Sequence, residues 1–268
     1  MIGFIGGGNM AEALIKGIVQ SSAFRARSER KKIMVSEPRD ERRTYLEKTY
    51  YVKTTLDNKE VARDCRIILF AVKPQNMDNV ITEVADIISE DKTVVSIAAG
   101  ITLSYLLSRL RTRKIIRVMP NTPALIQEGM TVMSMCECIH DKDIGLIKDI
   151  FMSVGRVIIL PEKYMDAVTA LSGSGPAFLA YFLEAMIDGA VKMGLDISDA
   201  TTLAIQTMLG TAKLLDTGLS PAKLREMVTS PGGTTEAGLK FFEERKFNEV
   251  VSSAIEAATM RAKELGKF

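Results

Sequence analysis

The residues with the clearest chemical content stand at the start of the chain: Met1-Ile2-Gly3-Phe4-Ile5-Gly6-Gly7-Gly8-Asn9-Met10-Ala11-Glu12. A short apolar run enters a glycine turn that opens into a helical pattern, and Gly6-x-Gly8-x-x-Ala11 fits a dinucleotide-binding fingerprint. Gly6 permits a tight turn, Gly8 lets backbone approach a pyrophosphate, and Ala11 is small enough for helix and strand to pack closely. The phosphates would rest on the free N–H groups at a helix N-terminus. In open α/β sheets the ligand lies at the carboxyl ends of the strands. The loops expected there are Ser36-Glu37-Pro38-Arg39, Val72-Lys73-Pro74-Gln75, Ala98-Ala99-Gly100 and Met119-Pro120-Asn121-Thr122-Pro123. Plain turn chemistry is the alternative reading for any one of these loops. Glu37 would accept hydrogen bonds from the ribose hydroxyls of NADH and oppose a 2′-phosphate, while Arg39 pulls toward NADPH.

Two further stretches are not explained by helix packing. Leu171-Ser172-Gly173-Ser174-Gly175-Pro176 is read as a flexible, hydroxyl-rich interruption of a helical region. Thr229-Ser230-Pro231-Gly232-Gly233-Thr234-Thr235 follows one helix and opens the next, so its N–H groups and hydroxyls suit a small carboxylate. No acid–base histidine or nucleophilic triad accompanies them, which is consistent with a hydride acceptor that needs no strong enzymic acid. Cys136-x-Cys138-x-His140 lacks a fourth ligand and matches no common zinc spacing, so no metal site is expected.

The elements that must position these residues fall into two textures. Up to residue 160 strand-like and helix-like segments alternate, with strands expected at Ile2–Ile5, Ile33–Ser36, Val52–Thr54, Arg66–Val72, Thr93–Ile97, Ile115–Val118, Met130–Met135 and Arg156–Leu160. Strands separated by helices imply βαβ units and a doubly wound parallel sheet. From 161 to 268 the pattern is helical throughout, with Gly194 and Gly218 at helix ends and Pro221 at a helix start. The expected organisation is therefore α/β, with a dinucleotide-binding domain over 1–160 and an all-helical domain over 161–268. The run Ala177–Ile187 is apolar on more than one face and must be buried. So few residues give little room to bury it within one subunit, which points to a helical subunit interface, with the core of an ordinary compact bundle as the alternative.

Composition excludes other classes. Among 268 residues, 47% are hydrophobic and 25% charged, and the formal charge is +2, which gives no reason to invoke nucleic acid or an anionic membrane. The basic stretch Arg25–Lys32 reads as a solvated loop. No apolar run is expected to cross a bilayer, the N-terminus does not read as a signal peptide, and three cysteines suit a reducing cytoplasm.

Taken together, Phe4–Ala11, Ala71-Val72-Lys73-Pro74, Pro120-Asn121-Thr122-Pro123, Leu171–Pro176 and Ser230-Pro231-Gly232-Gly233-Thr234-Thr235 resemble pyrroline-5-carboxylate reductases from end to end and in order. The resemblance implies reduction of 1-pyrroline-5-carboxylate to L-proline with NADPH or NADH, on a Rossmann domain followed by an all-helical C-terminal dimerisation domain. It implies a homodimer at least, with a decamer of five dimers as a larger assembly. By the same resemblance Gly6, Gly7, Gly8, Asn9 and Met10 hold the pyrophosphate. Ser36, Glu37, Arg39 and Asn58 surround the adenosine ribose. Val72, Lys73 and Pro74, with Ala71, Ala98, Ala99, Gly100 and Asn121, flank the rest of the cofactor. Ser230, Gly232, Gly233, Thr234 and Ser174 bind the substrate, and Thr235 hydrogen-bonds its ring nitrogen. Glu37 departs from the small polar residue that many relatives carry, and so favours NADH or dual use. A β-hydroxyacid-type dehydrogenase would need a helix-borne lysine as acid/base. Lys192 and Lys213 lie outside any glycine-rich catalytic context. A nucleotide-sensing regulator would not need the Ser230–Thr235 loop.

Overall fold

The computed structural model describes residues 1–21, 24, 32–136 and 141–266. Eight strands, β1 (Ile2–Ile5), β2 (Ile33–Ser36), β3 (Lys53–Thr55), β4 (Ile67–Phe70), β5 (Thr93–Ser96), β6 (Ile115–Met119), β7 (Gly129–Met135) and β8 (Gly155–Ile159), form one sheet. Its order is β3-β2-β1-β4-β5-β6-β7-β8. The first six strands are parallel, in the arrangement 3-2-1-4-5-6 typical of dinucleotide-binding sheets. The unbroken apolar runs of β1, β2 and β4 follow from burial on both faces. Ile2, Phe4, Ile33, Val35, Ile67 and Leu69 enter one apolar layer, and Ile5, Met34, Ile68 and Phe70 enter the other. Each such side chain contributes about 1.5–3 kcal/mol by leaving water.

Helices α1 (Asn9–Gln20), α2 (Asp40–Tyr50), α3 (Asn58–Asp64), α4 (Met77–Val84) and α5 (Leu103–Arg109) provide the crossovers between the parallel strands. α6 (Asp141–Met152) joins β7 to β8, which are again parallel. β7 runs antiparallel to β6. The short Pro120–Glu128 link holds only a 3₁₀ turn, Thr122–Ile126, too little chain for a parallel crossover.

Two compact units form: Met1–Ser174 with Ala257–Phe268, and Gly175–Glu256. The change of texture near residue 160 therefore does not coincide with the edge of the first unit. The segment after it is tied to the sheet: buried Arg117 of β6 reaches Glu162 at 3.2 Å and Asp166 at 3.5 Å, and Met165 and Ala170 are buried. Residues 171–176 are not the loop expected from their composition. α7 (Met165–Val168) widens into a π-helix over Thr169–Gly173, and α8 (Gly175–Lys192) follows. The hydroxyls turn back onto the helix, Thr169 Oγ1 donating to the Met165 carbonyl at 2.7 Å and Ser172 Oγ to that of Val168 at 3.2 Å.

The second unit contains α8, α9 (Ile197–Asp216), α10 (Pro221–Met227), α11 (Thr234–Glu244) and the start of α12 (Phe247–Leu265). Asp196 caps α9 by accepting the Ser198 N–H, and Ser220 caps α10 ahead of Pro221. Gly194 and Gly218 end α8 and α9 with φ near +99° and +98°. Among its described residues only Ala200 and Ala204 are buried apolar ones, whereas Leu179, Tyr181, Leu203, Ile205 and Val250 lie exposed. The stretch Glu162–Lys192 has the length and apolarity of a membrane-crossing helix, contrary to the expectation from sequence. The most apolar 18 residues within it have a mean hydropathy of 1.2, and 6% of them are buried.

Candidate functional site

β1 ends at the switch point of the sheet, beside β4, and the turn that follows is held in one conformation. Gly6 has φ +100°, and a Cβ there would lie 2.7 Å from the Ala71 carbonyl oxygen, so only glycine fits. At Gly7 a Cβ would lie 3.0 Å from Leu46 Cδ1 and 3.2 Å from Glu37 Cβ. Gly8 differs: nothing lies within 4 Å of its Cβ position. Its missing side chain serves no packing need within the chain, and leaves room for a group resting on the N-terminus of α1. The N–H of Gly6 donates to the Ser36 carbonyl and that of Gly7 to Glu37 Oε2, both at 2.9 Å. Those of Gly8, Asn9, Met10 and Ala11 have no partner among the described residues, and Gly8 caps α1 without a side-chain bond. Four open donors at a helix N-terminus match a pyrophosphate.

The acidic residue after β2 is placed differently from the expectation. Glu37 is 4% exposed, and its carboxylate is already occupied. Besides the Gly7 N–H it accepts the Arg39 N–H at 3.1 Å and Arg39 Nε at 2.7 Å. Burial pushes its carboxyl up, but the hydrogen bonds from Arg39 and Gly7 outweigh this and hold it below the usual range. Ser36 Oγ donates to Asn58 Oδ1 at 2.6 Å, and Asn58 Nδ2 donates to Glu83. Arg39 is the outward-facing member of the group, 66% exposed.

After β4, Val72 and exposed Lys73 lead into the 3₁₀ turn that Pro74 opens. After β5, Ala98 is buried, and Gly100 has φ +79° and lies so close to α12 that a Cβ there would be 2.9 Å from the Leu265 carbonyl oxygen. Glu162 accepts the Leu103 N–H at 2.7 Å and so anchors the helix that follows this loop. Asn121, expected at the cofactor, is committed to the scaffold. Its Oδ1 accepts the Met130 N–H at 2.8 Å, and its Nδ2 donates to the Ser172 carbonyl at 3.1 Å. Sequence reading missed Glu12, Arg42, Tyr45 and Tyr50, which gather behind the glycine turn. The available signal was an acid in the first turn of α1 and an Arg–Tyr pair three apart on α2.

In the second unit, the Ser230–Thr235 loop turns at Gly232, φ +71°, into the N-terminus of α11. The Gly232 N–H is taken by Glu236 Oε2 at 2.7 Å and the Gly233 N–H by the Ser230 carbonyl at 2.9 Å. The N–H groups and hydroxyls of Thr234 and Thr235 carry no bond to a described residue. Gly232 and Gly233 of the loop border an open cleft of about 1290 Å³, lined also by Lys223, Arg225, Glu226 and Lys240; Thr234 and Thr235 do not line it. Ser174 closes a π-type bond to the Thr169 carbonyl through its N–H. Of the Cys136–His140 run, Cys138 and His140 lie outside the described residues; Cys136 Sγ donates to the Arg113 carbonyl. The basic stretch lies outside them too, save Lys32.

The strand order, the positive-φ glycine and the open helix N-terminus define a dinucleotide-binding Rossmann protein with an added helical unit. A family model of pyrroline-5-carboxylate reductase dimerisation matches residues 162–265, and one of F420-dependent NADP oxidoreductases matches residues 1–100. A pyrroline-5-carboxylate reductase of Synechocystis sp. is 42% identical, covering 99% of this chain and 98% of its own length. The structure of a pyrroline-5-carboxylate reductase from Coxiella burnetii superposes with a TM-score of 0.91 at 36% identity, covering 100% of this chain and 98% of that one. A Plasmodium falciparum reductase crystallised with NADP gives 0.85 at 32% identity, covering 99% and 98%. The chain belongs to the pyrroline-5-carboxylate reductase family. The dimerisation model spans the apolar Glu162–Lys192 stretch, so that stretch lies within a region matched to a dimerisation domain.

Proposed function

We infer that this chain reduces 1-pyrroline-5-carboxylate to L-proline with NAD(P)H, the last step of proline biosynthesis. The observation that carries the reading is the match to reductases of that name along the whole chain, which takes in both the glycine turn and the Ser230–Thr235 loop. The bound nicotinamide supplies the hydride. The N–H groups of Gly8, Asn9 and Met10 hold the pyrophosphate, with Gly6 and Gly7 shaping the turn. Ala71–Pro74 and Ala98–Gly100 flank the remainder. The open donors of Thr234 and Thr235 take the substrate carboxylate, helped by the positive end of α11. Ser230, Gly232 and Gly233 fix that loop, and Ser174 joins the substrate-binding set. The Thr235 hydroxyl accepts the N–H of the protonated ring. A protonated imine is already electrophilic, so these residues act by orientation and by excluding water.

Both nicotinamide dinucleotides are proposed as cofactors. Glu37 beside the ribose tempers NADPH use, and exposed Arg39 favours it. The working unit is a homodimer at least, with a decamer as the larger assembly, and the enzyme acts in the cytoplasm. Division of labour follows the expected modules, 1–160 for the dinucleotide and 161–268 for substrate and dimerisation. The test is direct: purified protein oxidises NADH or NADPH when pyrroline-5-carboxylate is added. A folded sample that binds nucleotide but turns over with neither cofactor overturns the reading.

A further inference from the structure

Behind the glycine turn, on the side away from the open donors, four polar side chains form a closed group. Arg42 of α2 donates through Nε to the Gly7 carbonyl at 2.6 Å and through a terminal nitrogen to the Gly8 carbonyl at 3.4 Å. The same guanidinium pairs with Glu12 at 2.5 Å. Glu12 also accepts the Tyr45 and Tyr50 hydroxyls, both at 2.8 Å. The Tyr45 ring lies under the guanidinium, 5.2 Å from centroid to Cζ. Arg42 and Glu12 are 18% and 20% exposed, so this is a partly desolvated group rather than a surface pair. Burial raises the Glu12 carboxyl and the bonds from Tyr45, Tyr50 and Arg42 more than reverse it, keeping the acid ionised against the cation.

A trans peptide is planar, with its C=O and the next N–H pointing in opposite directions. Fixing the Gly7 carbonyl on Arg42 therefore turns the Gly8 N–H to the open side. Fixing the Gly8 carbonyl on Arg42 and on the Glu12 N–H, at 2.9 Å, does the same for the Asn9 N–H. The Gly7 N–H is meanwhile held by Glu37. Without these anchors a run of three glycines has the conformational freedom to rotate either peptide. We propose that Arg42, held by Glu12, Tyr45 and Tyr50, is a positioning residue that presets the Gly7–Gly8 and Gly8–Asn9 peptides for the pyrophosphate of the cofactor. It acts through the backbone and does not itself touch the nucleotide. The proposal rests on the dinucleotide site described under Proposed function.

The test uses the full-length protein and compares wild type with Arg42→Ala and Arg42→Lys. Binding of NADH, of ADP-ribose, which contains the pyrophosphate, and of AMP, which lacks it, is measured by calorimetry beside thermal unfolding. In Arg42→Ala the Kd for NADH and ADP-ribose rises about 10-fold or more, equivalent to about 1.4 kcal/mol. AMP binding changes less than about 2-fold, and the kinetic loss appears in KM for NADH far more than in kcat. Arg42→Lys, which keeps the charge and one bond, falls between. If Arg42→Ala does not fold, the same split between ADP-ribose and AMP in Arg42→Lys is the criterion. Unchanged Kd for ADP-ribose in a folded variant, or an equal loss for ADP-ribose and AMP, overturns the proposal. Wild-type protein that binds neither NADH nor ADP-ribose overturns the dinucleotide site itself, and the positioning role with it.

Discussion

Thr235 and Glu37 carry the most information for a single side chain. The Thr235 hydroxyl, at the N-terminus of α11, has no partner among the described residues, whereas Glu236 is spent on the Gly232 N–H. A hydrogen bond to a charged ring nitrogen is worth about 1.5–3 kcal/mol, so Thr235→Ala should lower kcat/KM for pyrroline-5-carboxylate roughly 10- to 100-fold. Nucleotide Kd should stay near the wild-type value, and an equal loss in both would remove the assigned role. Glu37 calls for a more careful substitution. Its carboxylate holds Gly7 and Arg39 at once, so Glu37→Gln keeps an acceptor for Gly7 while removing the charge, and Glu37→Ser removes both. Each should raise the ratio of kcat/KM for NADPH over NADH, roughly 10-fold, because Arg39 is freed to meet a 2′-phosphate. An unchanged ratio in both variants would show that Glu37 does not govern the choice. The sequence revealed which residue type stands after β2. It could not reveal that the carboxylate folds inward, since that depends on contacts between the segments after β1 and β2.

At the scale of elements, the glycine turn separates into two functions. Gly6 has φ +100° and a backbone carbonyl where a Cβ would go, while the Cβ position of Gly8 faces open space. Gly6→Ala should therefore cost stability, at least about 1–3 kcal/mol from backbone strain, read as a fall of several degrees in Tm. Gly8→Ala should leave Tm almost unchanged and weaken binding of NADH and NADPH, because the added methyl occupies the space a phosphate needs. Equal effects of the two substitutions on Tm would contradict this division. The strands were legible because runs such as Ile67–Phe70 are short, unbroken and apolar on both faces, as a strand buried in a parallel sheet requires. α3 was not legible: it spans only seven residues, Asn58–Asp64, of which Val61 and Ala62 alone are buried. The Ser172–Gly175 stretch misled for a different reason. Its composition suits a loop, but hydroxyl bonds to preceding carbonyls and the seat of Met165 and Ala170 in the first unit override local propensity.

At the scale of the whole molecule, the helical unit is apolar beyond its own means to bury. Leu179 is 56%, Tyr181 76% and Leu203 57% exposed within one chain, and buried apolar residues there are few and small. Side chains of this kind each lose about 1.5–3 kcal/mol of burial when left in water, which a lone subunit has little core to offset. The family's dimerisation model spans these helices, and the dimer proposed above would supply the missing cover from a second copy. Stability should then depend on protein concentration, as it does wherever folding and association are linked. Tm should fall on dilution, a tenfold step costing about 1.4 kcal/mol of dimer stability. Leu179→Asp and Leu203→Asp should each shift the protein toward monomer in light scattering and remove activity with it, because a buried unpaired carboxylate costs several kcal/mol. A monomeric wild type with a concentration-independent Tm would mean that these apolar faces are accommodated within one chain, and the dimer assignment would fall.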